Sequence, residues 1–297
     1  MYFCFKLFFW LIILSVFPLT EVPSQNILTE ASKDTSTLYI NPKTFSFIKN
    51  IPMDIVDYGK ITFKKKNLLN ITAMTAATIG LVLIDQNITD QSKKFGKWLN
   101  IDGNSSQKAY AGLDIEIFST RTFVGFEGPH DLSSAMYFLG DGWTTIGIAG
   151  GFLTHGLITK RTKSRCVASA VIESMLASGI VVQLLKHISG RESPFVATAP
   201  GGLWKPFPNQ IDYHRNVPHY DAFPSGHAAS AMGTIIVLSE FYPENRLIRP
   251  IGYSLMGILL FSMLNNGVHW ASDYPLGIAL GYSFGKIAAT KYKKKVS

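Results

Sequence analysis

The sequence predicts an all-α fold, a membrane-embedded helical bundle with five to six core helices. Charged residues make up 16% of the 297-residue chain and hydrophobic residues 47%, whereas soluble domains carry about 25% charged residues. Many of the apolar residues gather in runs of about helix length. Lys and Arg gather at the ends of those runs, as they do in the cytoplasmic loops of membrane proteins. That placement accounts for the net charge of +8 without nucleic acid, since no basic patch is interleaved with aromatics. Cys4 and Cys166 lie in separate apolar segments, so neither a disulfide framework nor a cysteine metal site is expected.

Residues 1–20 place Lys6 before a short apolar run, with Pro18 and small or polar residues after it. This pattern reads as a signal peptide, with an uncleaved N-terminal anchor as the alternative. Residues 21–134 form an N-terminal region, partly helical and expected in the periplasm. Its start, from Glu21 to about Lys66, is polar, contains Pro23, Pro42 and Pro52, and reads as a loosely structured leader. Leu68 to Ile84 is apolar but short and holds Asn70, Thr72, Thr75 and Thr78, which fits a buried or interfacial helix. Asp85 to Asn104 is polar, with an amphipathic patch around Phe95 and Trp98. Asn70, Asn87 and Asn104 open N-x-Ser/Thr triplets, a pattern that chance produces often.

Residues 135–292 form the helical core and 293–297 a basic cytoplasmic tail. Ala135 to Ile158 is apolar, with Gly140, Gly142, Gly147, Gly150 and Gly151 suited to close helix packing. Asp141 within it reads as a carboxylate bonded to a helix end. Cys166 to Leu185, Ser225 to about Phe241, Leu247 to Leu264 and Ser272 to Ala289 are the next helices, and a Pro-, Gly- and aromatic-rich loop spans 187–223. The basic link at 159–165, Arg246 with Arg249, and the basic tail mark the inner face. Lys186, His227 and His269 then fall at the outer-face helix ends. The preferred count is five spans, with Leu68 to Ile84 not crossing; six spans after an uncleaved leader fit the charges nearly as well.

Three of those outer ends carry chemistry. Pro224-Ser225-Gly226-His227 opens a helix: Ser225 caps it, and the N–H groups near Gly226 can hold an anion. His269 and Asp273 are four apart and share a face if the helix has begun. An Asp on one imidazole nitrogen fixes the tautomer and makes the other a better nucleophile. A second imidazole, His227, can protonate a leaving oxygen. Lys186 and backbone N–H groups can neutralise an anionic transition state. Together these residues can cleave a phosphate ester through a phosphohistidine, with no metal and no cofactor.

In these motifs residues 135–292 resemble the type 2 phosphatidic acid phosphatase superfamily, which includes class A acid phosphatases and vanadium haloperoxidases. The family pattern is K-x6-R-P, then P-S-G-H, then S-R-x5-H-x3-D. The resemblance implies that His269 is the nucleophile, Asp273 its orienting acid and His227 the general acid, with Lys186, Ser225 and Gly226 holding phosphate. Two positions depart from the pattern: Ser193 and Met263 stand where the family has arginines. Each lost charge-assisted contact corresponds to about 2–4 kcal/mol, or roughly 10²–10³ in rate. Arg191, two residues from Ser193, is a candidate replacement phosphate ligand. The implied activity is that of a phosphoric monoester hydrolase acting on a lipid phosphate or lipid pyrophosphate in a bacterial inner membrane, with its site facing the periplasm. The alternatives are a secreted soluble acid phosphatase of this fold, in the periplasm, or a non-catalytic membrane binding protein.

Overall fold

The computed structural model describes residues 37–101, 103, 108–117 and 120–295. The leader, Cys4 and Asn104 lie outside the described residues. In chain order the elements are β1 (Thr37–Tyr39), α1 (Ser46–Lys49), α2 (Ile51–Thr62), a 3-10 turn (Lys65–Asn67), α3 (Leu68–Val82) and α4 (Asp85–Trp98). A hairpin follows, β2 (Lys108–Ile117) with β3 (Thr120–Gly128). Then come α5 (Leu132–Phe138), α6 (Gly142–Ile158), α7 (Thr162–Ser189), α8 (Gln210–Arg215), α9 (Gly226–Phe241), α10 (Ile248–Asn265), α11 (Tyr274–Lys291) and β4 (Lys293–Lys295).

The mostly helical architecture is as expected. Helices α7, α9 and α11 pack on one another at the centre, α6 lies against α7, and α10 lies against α9. The closest approach is set by Gly277, Gly281 and Gly285, one turn apart along α11. A Cβ at these positions would collide with backbone at Ser225, Ala229 and Gly233 of α9. Small residues at this spacing let helix backbones approach, and here they press the start of α9 against the start of α11. The glycines singled out in α6 do something else: a Cβ at Gly142, Gly147, Gly150 or Gly151 meets nothing within 4 Å. Only Gly140, before α6, is packed closely, against Leu259 and His227. Asp141 caps α6, its Oδ1 accepting from the Trp143 N–H at 2.8 Å.

Three expectations need correction. Residues 46–62 are helical rather than loose. Their polar side chains are paired: Asn50 Nδ2 donates to the buried Glu173 Oε2 at 2.9 Å, and the buried Asp54 pairs with Lys291. The β2–β3 hairpin, antiparallel with Ile117 opposite Thr120, puts strand structure in a region read as partly helical, within a fold expected to be all-α. Among the described residues two helices, α7 and α10, are long and apolar enough to cross a membrane, fewer than the five expected spans. The stretch Lys65–Val82 plus Asp85–Trp98 passes the same test only as a pair bent by 69°. Two of the others are short, α9 with 16 residues and α6 with 17, while α11 has the same 18 residues as α10 but is less apolar. The surface remains suited to lipid, because Ile251, Leu255 and Ile258 form one exposed stripe on α10, and Ile180 and Leu184 are exposed on α7.

Candidate active site

Four chain segments deliver the predicted residues to one end of the bundle. Helix α7 ends at Gly190 with φ 54°, a left-handed conformation that glycine adopts without penalty. Lys186 sits in its last turn, and its Nζ donates to Asp221 Oδ2 at 2.9 Å. Ser225 caps α9 by accepting from the Ala228 N–H at 3.3 Å, as expected, and is fully buried. Gly226 is the first helical residue. His227 follows, half-buried, its ring 4.4 Å from that of Tyr137 and 6.2 Å from that of His269.

The third motif differs locally from the expectation. Helix α10 ends at Asn265, and Gly267, at φ 73°, reverses the chain. The Val268 N–H returns to the Met263 carbonyl at 3.0 Å. His269 therefore precedes the 3-10 turn Ala271–Asp273, and α11 starts only at Tyr274. The pair still meets, with His269 Nδ1 3.4 Å from Asp273 Oδ2. That same oxygen accepts from the Trp270 N–H at 2.7 Å. A tight turn, rather than one face of a helix, aims the carboxylate at the ring. With Nδ1 turned to Asp273, Nε2 is the nitrogen left for chemistry.

Arg191 is placed differently from a phosphate ligand. It is fully buried, and Nη1 donates to Asp273 Oδ1 and to Ser272 Oγ, each at 2.6 Å. Nη2 donates to Asp85 Oδ2 at 2.7 Å and to the Gly201 carbonyl at 2.8 Å. The guanidinium lies 4.6 Å from the ring centre of Trp204 and 5.4 Å from that of Trp270. The next residue, Glu192, ties down the loop. Burial works to raise its carboxyl, but bonds from Lys205, Thr198 and the Leu203 N–H outweigh this and hold it at about 2. The loop is thus an ordered wall, and the Trp270 indole donates to the Glu192 carbonyl at 2.7 Å.

The two departed positions are both filled. Ser193 is buried and its N–H donates to the Pro218 carbonyl at 2.9 Å. Met263 is fully buried, and its sulfur accepts from Ser225 Oγ at 3.8 Å. Met263→Arg therefore puts a longer, charged side chain into closed apolar space. The expected result is a loss of about 3 kcal/mol of stability and a fall in activity rather than a gain, read as a lower thermal midpoint in detergent.

Sequence reasoning missed two carboxylates. Asp221, the partner of Lys186, lies in the 187–223 loop, four residues before Ser225, without a periodic pattern around it. Asp85 was assigned to a polar segment, although an acid directly after an apolar helix is a recognisable signal.

No curated protein matches the sequence. Two solved structures are similar to it. One is the crystal structure of Aquifex aeolicus LpxE, at TM-score 0.39 and 20% identity, covering 53% of this chain and 83% of that chain. The other is that of the first transmembrane PAP2 type phosphatidylglycerolphosphate phosphatase from Bacillus subtilis, at TM-score 0.41 and 12% identity, covering 82% of this chain and 94% of that chain. Residues 168–297 match the family model of the PAP2 superfamily, and this matched segment holds Lys186, Arg191, Ser225, His227, His269 and Asp273.

Proposed function

We propose that the chain is a metal-independent phosphatase that hydrolyses a lipid phosphate or lipid pyrophosphate through a phosphohistidine at His269. The observation that carries this reading is the convergence of two imidazoles, one backed by a carboxylate, with a lysine and a capped helix start at one end of the bundle. The PAP2 superfamily match over 168–297 supports phosphatase activity.

In the first step His269 Nε2 attacks phosphorus, so the N–P bond forms and the ester P–O bond breaks. His227 gives its proton to the departing oxygen. In the second step His227 takes a proton from water, the hydroxide oxygen bonds to phosphorus, and the N–P bond breaks. Asp273 holds the Nδ1 proton of His269 and stabilises positive charge on the ring throughout. Lys186 and the N–H groups at the start of α9 meet the charge on the phosphoryl oxygens. Asp221 keeps the Lys186 ammonium at the mouth of the site and yields it when the more highly charged phosphate enters.

An apolar groove favours a lipid substrate over a soluble one. It has a volume of about 400 Å³ and runs between α6, α9 and α10, lined by Leu139, Ile148, Ile235, Leu255 and Leu259 among others. Its hydroxyls are engaged internally, for example Thr145 with Ser230 at 2.8 Å. Its Leu259 end reaches Gly140 and His227, so an acyl chain lying in it would bring its head group to the imidazoles. The membrane-facing position and the proposed outer-face orientation of the site fit that approach.

The test is phosphate release by detergent-solubilised protein from long-chain lipid phosphates, lipid pyrophosphates and water-soluble monoesters. Release is expected from the long-chain substrates above all, and release from none of the three would contradict the enzyme reading. Leu255→Trp, at a half-exposed wall of the groove, is expected to raise KM for a long-chain substrate about 10-fold while leaving a soluble monoester unaffected. Equal effects on both substrates would remove the groove from the account.

A further inference from the structure

We propose that Asp85, at the elbow between α3 and α4, is a positioning residue for the nucleophile: acting through Arg191, it sets the net charge of the buried group behind His269. This rests on the reading of His269 as the nucleophile. Asp85 lies outside the matched segment 168–297, yet it is fully buried and bonded to both Arg191 and Ser272.

Asp85 is fully buried. Its Oδ2 accepts from Arg191 Nη2 at 2.7 Å and from Ser272 Oγ at 2.5 Å, and its Oδ1 accepts from the Ser272 N–H at 3.0 Å. Arg191 in turn holds Asp273 at 2.6 Å. One guanidinium is therefore shared between two carboxylates, and all three side chains have 0% exposure. Solvent screens such a group weakly, so its net charge matters.

Arg191 and Asp273 alone would sum to zero, and the guanidinium would neutralise the carboxylate that His269 relies on. Asp85 brings the sum to −1. That charge stabilises the positive ring that develops as Nε2 bonds to phosphorus. The other groups facing His269 do not supply it. His227 of α9, the proton donor of the first step, and the neutral Tyr274 of α11 lie at 6.2 and 6.4 Å between ring centres, and neither brings negative charge. Lys186 is paired with Asp221, and the Lys93 ammonium of α4 approaches Gly267. The Lys186 pair adds no net charge and Lys93 adds positive charge on that side, which makes the extra carboxylate more valuable. The geometry also gives the 69° bend a role: it is pinned where its first residue after the break, Asp85, enters the site.

The test compares kcat and kcat/KM against pH for wild type, Asp85→Asn, Asp85→Glu and the double variant Asp85→Asn with Arg191→Met. The probe is dioleoyl phosphatidic acid in detergent micelles, with His269→Ala as control. Asp85→Asn takes the buried sum to zero, so kcat is expected to fall about 10-fold. The acid limb of kcat/KM should move down by about half to one pH unit, because a less negative surrounding disfavours the protonated ring. Asp85→Glu, which keeps the charge, should restore the limb. The double variant returns the sum to −1 and should place the limb where wild type has it. That arm keeps the proposal falsifiable if Asp85→Asn alone fails to fold. An unmoved limb in Asp85→Asn, or a displaced limb in the double variant, would overturn the proposal while leaving the nucleophile reading intact. Wild-type hydrolysis that persists in His269→Ala would remove both.

Discussion

His269→Ala is expected to reduce phosphate release by at least about 10⁴-fold, with the protein still folded. The nucleophile and the group that orients it act as a unit, so deleting the attacking atom leaves only binding and electrostatic assistance. Folding should survive, because His269 contributes a ring at the mouth of a turn held by other bonds. The Trp270 N–H to Asp273 Oδ2 bond at 2.7 Å and the Val268 N–H to Met263 carbonyl bond at 3.0 Å do not involve its side chain. Inorganic phosphate release and a thermal scan on the same preparation check both parts. Asp273→Asn, by contrast, should keep the shape but let the ring adopt the wrong tautomer, and it should also release Arg191.

Arg191→Met is expected to be the most destabilising single change near the site, costing about 3–5 kcal/mol. The side chain donates to Asp85, Asp273, Ser272 and the Gly201 carbonyl, all from a fully buried position. Its removal leaves two buried carboxylates facing each other without a cation. Arg191→Lys recovers little, since an ammonium cannot reproduce the two-ended planar geometry. Trp204 and Trp270 flank the guanidinium, so tryptophan fluorescence during thermal unfolding in detergent reads the site directly. A midpoint within error of wild type would show that the network adds nothing to stability. The double variant with Asp85→Asn should be milder than Arg191→Met alone, because one of the stranded charges is removed with its partner.

Much of the core was legible because it is local. Apolar runs gave the helices, Ser225 and Asp141 behaved as N-caps, and Lys186, His227 and His269 did meet at one end. These features depend on spacing along the chain. The rest depends on contacts between distant segments. Asp85 and Arg191 are 106 residues apart, and nothing in either local sequence names the other. Arg191 was read as a phosphate ligand because it lies near a departed motif position. The structure instead turns both ends of its guanidinium inward, where Asp85 and Asp273 hold it.

The small-residue spacing was also misread, for a physical reason. Gly147, Gly150 and Gly151 lie on a face of α6 that meets nothing, while Gly277, Gly281 and Gly285, at intervals of four, lie against the α9 backbone. The number of glycines in a run matters less than whether they share one helix face. The helices of 46–62 were hidden by the polar composition of their surroundings, although Asn50 and Asp54 pair with Glu173 and Lys291. The hairpin at 108–128 did carry a local signal that was passed over: Leu113-Asp114-Ile115-Glu116-Ile117 alternates apolar and polar, the period of a strand.

The most direct test of the central claim is to quench turnover of a ³²P-labelled lipid phosphate in alkali and look for label on the protein. Covalent label that is stable in base and labile in acid, mapped to His269 and absent from His269→Ala, is the predicted result. Label that persists in His269→Ala, or turnover of that substrate without any labelled protein, would contradict it.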